Sequence, residues 1–194
     1  MRLCFIGSGV EREGTRLYGI EIRAVASIMA KRFKTLVFGG SKIGLMGEFA
    51  AAFAASKGHV IGVVPAWLEA ENLLFNECDL VRCRDLAERK RIMFEEVDAI
   101  LCYPGGLGTW DELFDQLARN AVDRKAPCPP IYIYNWENFY APMLLQIETA
   151  MELGLIRPAD CAVLRPFASL EELSRLVDEQ GCHVGHSQLA RSVR

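Results

Sequence analysis

The sequence predicts an α/β fold: a Rossmann-like parallel sheet with helices on both faces, organised as a single domain. Short apolar runs alternate with stretches of helical periodicity from one end of the chain to the other, the signature of βα units around a parallel sheet. Glycine-bearing turns follow several of those runs, and no linker divides the 194 residues.

The first run, Leu3–Gly7, reads as a short buried strand closed by a glycine; it lacks the longer apolar core and cleavage site of a signal peptide. Tyr18, Ile22, Val25, Ala26, Met29 and Phe33 then recur at near-helical spacing, which predicts one helix over Thr15–Phe33 with its apolar stripe on the sheet. A strand at Thr35–Phe38 and a helix at Leu45–Lys57 follow, then strands at Val60–Val64 and Asp79–Arg82. The pattern continues through helix Leu86–Glu96, strand Ala99–Tyr103, helix Thr109–Val122, strand Ile131–Tyr134 and helix Phe139–Leu153. A last strand is placed near Ala162–Leu164. Ser169 and Glu172 then form a capping pair for a helix reaching about Glu179. The domain is therefore expected to span residues 1–180, with 181–194 a polar tail of little periodicity and free to move.

Composition narrows the function classes. With 51% hydrophobic and 24% charged residues, the chain is an ordinary globular protein whose apolar stretches break well short of a membrane span. Net charge is −3 and basic residues are dispersed among acids, which disfavours a nucleic-acid polymer as partner. Arg82 to Arg91 is the main cationic concentration, and by itself it reads as a solvated helix face. Seven cysteines, odd in number and never spaced CxxC, argue against a disulfide framework or a zinc site and for a reducing cytoplasm. His59, His183 and His186 have no metal spacing, so no metal is expected, and His59 simply opens a strand.

Gly7-Ser8-Gly9, Gly39-Gly40-Ser41 and Gly105-Gly106-Leu107-Gly108 each follow a strand, so all should lie at strand carboxyl ends, where an open parallel sheet binds its ligand. The first lacks the third glycine of GxGxxG, so a conventional dinucleotide fingerprint is not met. Residues 104–112, PGGLGTWDE, are the most informative. Glycines bring bare amides close to an anion, and the following helix adds free N–H groups and the positive end of its dipole, which makes a phosphate cradle. Thr109 and Glu112 also have the spacing of a capping box, in which both side chains would merely satisfy backbone donors.

Taken in order, Cys4-Phe5-Ile6-Gly7-Ser8, Gly39 to Gly47, Arg89-Lys90-Arg91-Ile92-Met93 and Pro104 to Glu112 resemble the Lonely Guy family of cytokinin riboside 5′-monophosphate phosphoribohydrolases. The resemblance covers roughly Met1 to Pro158, and its specificity comes from the pairing of RKxxM with PGGxGTxxE. It implies hydrolysis of the N-glycosidic bond of a nucleoside 5′-monophosphate to free base and ribose 5-phosphate, without a cofactor. Arg89 and Glu112 would be the catalytic pair, and Gly105, Gly106, Gly108 and Thr109 would cradle the 5′-phosphate. Ser8, Gly40, Ser41 and Met46 would approach the nucleotide from neighbouring strand ends, and Lys90 joins the substrate-binding set as one candidate proton source. A homodimer is implied too, because active sites in the family form near a dimer interface. Many members were first labelled lysine decarboxylases, but this sequence has no recognisable pyridoxal phosphate site.

The residue types suit that chemistry. Breaking an N-glycosidic bond builds positive charge on the ribose ring and negative charge on the departing base. A carboxylate such as Glu112 stabilises the first, holds ribose hydroxyls and orients water at C1′. Arg89 stays charged, so its work is electrostatic. Met93, four residues on, is read as a core contact, Asp98 stays unassigned, and Trp110 with Asp111 covers the helix start.

Three stretches depart from the family pattern. Leu86-Ala87-Glu88-Arg89-Lys90 stands for MHERK, Leu107 and Trp110 replace tyrosine and leucine, and Ala118 to Pro127 replaces TWxQLGxHxKP with a longer link to the next strand. The bond type carries over while the base stays open between cytokinin-type, other purine, pyrimidine and modified nucleotides. The other class of reading is a non-catalytic nucleotide or phosphorylated-cofactor binder, such as the molybdenum-cofactor carriers with a similar PGGxGT turn.

Overall fold

The computed structural model describes residues 1–69, 73–123 and 128–189. Its strands are β1 (Arg2–Ile6), β2 (Thr35–Phe38), β3 (His59–Pro65), β4 (Asp79–Cys83), β5 (Ala99–Cys102), β6 (Ile131–Tyr134) and β7 (Leu164–Phe167). All pair in parallel, in the order β4-β3-β2-β1-β5-β6-β7. The helices include α1 (Glu13–Tyr18), α2 (Ile22–Arg32), α3 (Gly44–Ala55), α4 (Ala66–Glu69), α5 (Leu86–Phe94), α6 (Leu107–Val122), α7 (Ala141–Glu152), α8 (Pro158–Cys161) and α9 (Leu170–Leu189).

Past their first residues, Arg2 and Thr35, the central strands β1 and β2 are apolar and buried, as is β5, because both faces are covered. Successive side chains point to opposite faces, so Leu3 and Phe5 join Leu36, Phe38 and Leu101 under Val25 and Met29 of α2, Phe49 of α3 and Leu173 of α9. Cys4 and Ile6 turn the other way, with Val37, Ile100 and Ile133, and meet Met93 of α5, Leu113 and Leu117 of α6, and Ile147 of α7. Each fully buried aliphatic side chain contributes about 1.5–3 kcal/mol, so the two layers hold the sheet from both sides. Met93 is completely buried, as a core contact should be. His59 opens β3, where its imidazole lies 2.7 Å from the Asp79 carboxylate.

The Rossmann-like architecture is as expected, with differences at several boundaries. The helix predicted over Thr15–Phe33 is split by a turn at residues 19–21. Gly19 is a poor helix former, and a Cβ there would sit 2.9 Å from the Glu48 carboxylate, so the chain bends where α3 comes close. The last strand falls at Leu164–Phe167 and not at Ala162–Leu164, because Phe167 supplies the core contact that Ala162 cannot. Ser169 caps α9 as predicted: its hydroxyl accepts from the Glu172 amide at 3.2 Å, while the Glu172 carboxylate accepts from the Ala168 amide at 2.7 Å. That helix runs on to Leu189, so residues 181–189 of the expected tail are helical, while 190–194 lie outside the described residues. The short α4 and α8 went unpredicted because four residues carry no periodicity. The expected longer link after α6 falls partly on residues 124–127, also outside the described set. Cys4, Cys78, Cys83, Cys102 and Cys161 are free thiols, and no described helix is long and apolar enough to cross a membrane.

Candidate active site

The strand order sets β2, β1 and β5 side by side, so the three glycine turns that follow them meet at one end of the sheet. Backbone bonds tie them together: the Ser8 amide donates to the Pro104 carbonyl at 3.2 Å, and the Met46 amide donates to the Ser8 carbonyl at 3.0 Å. The close approach requires Gly44, whose φ is +64° and whose Cβ would fall 2.7 Å from the Val10 carbonyl. Ser8, Gly40, Ser41 and Met46 thus lie on turns at one end of the sheet. The Ser8 hydroxyl accepts from the Val10 amide at 3.3 Å and that of Ser41 from the Ile43 amide at 3.2 Å, so both also shape their own turns.

Arg89 and Glu112 meet on the neighbouring side. Asp85 caps α5, accepting from the Glu88 amide at 2.8 Å, and Arg89 follows in the first turn. Its guanidinium donates from Nη1 to Glu112 Oε1 at 2.8 Å, from Nε to the Val63 carbonyl at 3.0 Å and from Nη2 to the Gly39 carbonyl at 3.2 Å. The fork is therefore fixed by the ends of two strands as well as by its carboxylate partner. Glu112 is 4% exposed, and its second oxygen, Oε2, is buried without a hydrogen-bond partner among the described residues. A buried acceptor in that condition is open to a donor from outside the chain, such as water or a ligand.

The capping-box alternative for Thr109 and Glu112 fails. Helix α6 starts at Leu107 with Gly106 as its cap, which puts Glu112 in the second turn, facing Arg89. Thr109 is buried against Gly105, where its hydroxyl stands 2.1 Å from the place a Cβ would take. Gly106 and Gly108, by contrast, have nothing within 4 Å of that place, so the helix start is open for a ligand. Burial raises the Glu112 pKa above the ordinary carboxylate value, and Arg89 opposes the shift without cancelling it.

Lys90 stands apart from the other expected residues. Its ammonium pairs with Asp111 at 2.8 Å and Asp115 at 3.3 Å, so it braces α5 against α6. Burial works against its charge, but the bonds from the two aspartates outweigh it and raise its pKa, which unfits it as a proton donor near neutrality. Asp111, read as a cover for the helix start, is one of its anchors, while Trp110 is 43% exposed on the outer side of α6. Asp98, unassigned from sequence, accepts from the Arg2 amide at 2.6 Å.

A cavity of about 690 Å3 opens from Pro104 to Leu107 and is walled in part by Arg12, Thr15, Tyr18 and Phe139. Sequence reasoning missed all four as site residues. Tyr18 was absorbed into the helical stripe, and the break at Gly19 that detaches α1 from that stripe has only the glycine as a signal.

A family model described as possible lysine decarboxylase matches residues 46–177. The cytokinin riboside 5′-monophosphate phosphoribohydrolase of Rhodococcoides fascians is 36% identical over 151 residues, 75% of this chain and 73% of its own length. The chain belongs to the Lonely Guy family. A phosphoribohydrolase of the same name from Arabidopsis thaliana is 32% identical to this Lonely Guy protein over 76% of the chain and 69% of the relative. In fold, the Lonely Guy chain is similar to a molybdenum cofactor binding protein from Rippkaea orientalis: the TM-score is 0.61 at 16% identity, covering 92% of this chain and 94% of that one. The decarboxylase wording has no counterpart at Lys90, whose charge is held by two aspartates and not suppressed as a Schiff-base lysine needs.

Proposed function

We propose that this protein hydrolyses the N-glycosidic bond of a nucleoside 5′-monophosphate, releasing free base and ribose 5-phosphate, with Arg89 and Glu112 as the catalytic pair. The reading is carried by Glu112, a buried carboxylate with one oxygen on Arg89 and the other unpartnered, one turn beyond an open glycine cradle. The phosphate seats on the open amides at Gly106 to Thr109, which fixes the sugar before reaction. Glu112 Oε2 then accepts from a ribose hydroxyl or the attacking water and opposes the positive charge that grows at C1′. Arg89 keeps Glu112 ionised and oriented, and the proton for the departing base comes from water. A panel of purine, pyrimidine and N6-modified nucleoside 5′-monophosphates, scored for released base, tests the activity and identifies the base. Intact nucleotides throughout the panel would end this reading.

Because burial lifts the Glu112 pKa, the acidic limb of kcat/KM should lie above the range of a free glutamate. Activity is lost as falling pH protonates the carboxylate, and a pH–rate profile in which the limb coincides with an ordinary carboxyl group contradicts the role.

The homodimer belongs to the same proposal. Leu107, Trp110 and Phe114 recur along one side of α6 and are 82%, 43% and 45% exposed, beside the helix start that forms the site. An apolar stripe of that kind fits burial against a second copy. Trp110→Glu is expected to give monomers by sedimentation while the melting temperature of the monomer stays near that of the wild type; an unchanged dimer places the interface elsewhere.

The carrier reading is a second possibility, favoured by the roomy cavity beside the turn. It leaves the unpartnered Glu112 oxygen without a task. Copurified ligand together with no turnover in the nucleotide panel is the result that would promote it.

A further inference from the structure

Both cations that the family pattern brings to the phosphate turn are already committed. Arg89 spends Nε, Nη1 and Nη2 on the Val63 carbonyl, Glu112 and the Gly39 carbonyl, and Lys90 spends its ammonium on Asp111 and Asp115. A phosphate monoester at the start of α6 therefore meets glycine amides and a helix dipole equivalent to about half a positive charge, against a ligand charge near two. The turn as built undersupplies positive charge.

The cavity that opens from Gly105, Gly106 and Leu107 contains one side chain able to make up the difference. Arg12 stands at the cap position of α1, with its backbone fixed: its amide donates to the Thr15 hydroxyl at 3.0 Å, and that hydroxyl donates back to the Arg12 carbonyl at 2.7 Å. The guanidinium has no ion pair or hydrogen bond among the described residues, and neighbouring Glu11 is engaged by Arg16 at 3.5 Å. Around it the wall is apolar, with Val10, Tyr18 and Phe139, the last two rings in edge contact at 5.5 Å. An unpaired, planar set of donors in such a wall matches a bidentate oxyanion better than any group the chain offers it.

From this arrangement we infer that Arg12 is a substrate-binding residue that donates to the phosphate at the Gly105–Thr109 turn from the α1 side, supplying the charge that Arg89 and Lys90 cannot. The inference rests on the hydrolase reading only for what carries the phosphate. Arg12 is exposed, so replacing it should leave the fold intact.

The test uses adenosine 5′-monophosphate, adenosine and inorganic phosphate as probes of the full chain. In Arg12→Gln the KM for the nucleotide and the dissociation constant for inorganic phosphate should each rise roughly tenfold or more, the loss of one charge-assisted hydrogen-bonding group. The kcat and any turnover of adenosine should stay within about twofold, and Arg12→Lys should recover part of the affinity. Equal KM and equal phosphate affinity in wild type and Arg12→Gln would overturn the assignment. If the wild type hydrolyses no nucleotide, the hydrolase reading falls, and the phosphate titration by calorimetry still decides Arg12: weaker binding in the variant supports it and equal binding refutes it.

Discussion

Replacing Glu112 by glutamine is expected to lower kcat by about 10³-fold or more while the fold and phosphate binding survive. The substitution keeps size and shape at a position 4% exposed, so packing against Arg89 is undisturbed. The amide oxygen can still accept from Arg89 Nη1, in place of the 2.8 Å bond made by Oε1. What changes is the other atom. Oε2, an unpartnered acceptor in the native chain, becomes an amide nitrogen that can only donate and carries no charge to oppose an oxocarbenium-like ring. The phosphate turn is separate, because the open amides at Gly106 and Gly108 do not involve the carboxylate. Circular dichroism, phosphate titration and chromatographic detection of free base measure the three parts independently. Unchanged turnover would remove Glu112 from the mechanism.

Arg89→Ala should cost both activity and stability. Turnover is expected to fall by about 10²-fold or more, since Glu112 loses the group that orients it. Stability should drop by roughly 3–5 kcal/mol near neutral pH, the usual result of removing one member of a buried ion pair. That deficit depends on pH. Burial already raises the Glu112 pKa, and without Arg89 the opposing pull is gone, so the folded state binds the proton more tightly than the unfolded state does. Stability is then retained below the unfolded carboxyl pKa and lost as pH rises through the folded value, so the melting deficit shrinks on acidification. Thermal melts at acid and neutral pH check the sign, and a deficit that grows toward acid contradicts it. Gly39→Ala offers a control that keeps the arginine: a Cβ there would stand 1.9 Å from Arg89 Nη2, so the guanidinium must move and turnover should fall with it.

Much of this was legible in the sequence where one residue type has one physical use. Short apolar runs such as Ala99–Cys102, bounded by turn signals, read as buried strands, and the glycine turns follow three strands that prove to be neighbours. Arg89 and Glu112 came from a pairing of motifs, since nothing in their spacing says that two helices will bring them to 2.8 Å. Two readings turn on local geometry that the spacing does not reveal. Thr109 and Glu112 have capping-box spacing, yet the helix begins two residues before Thr109, at a glycine-capped position that spacing alone does not reveal. Lys90 sits beside Arg89 in sequence, but the 3.6-residue turn points it toward Asp111 and Asp115. Arg12 was invisible for a different reason: what singles it out is that its guanidinium lacks a partner among the described residues, which is a property of three dimensions.

The strand order runs one way from β1 to β4 and the other way from β5 to β7, and that reversal bears on how such a protein can diverge. Arg89 and Glu112 stand on α5 and α6, helices whose core contacts belong to one face of the sheet, whereas Tyr18 at the cavity wall packs against the layer on the opposite face. The two layers are separated by the sheet, whose strands β1 and β5 pair along their length and are joined beyond it by the bond from the Ser8 amide to the Pro104 carbonyl. Substitutions on α1 can therefore alter the cavity wall without repacking Arg89 and Glu112. A descendant can then change that wall on one short helix and keep the Arg89–Glu112 pair as it stands.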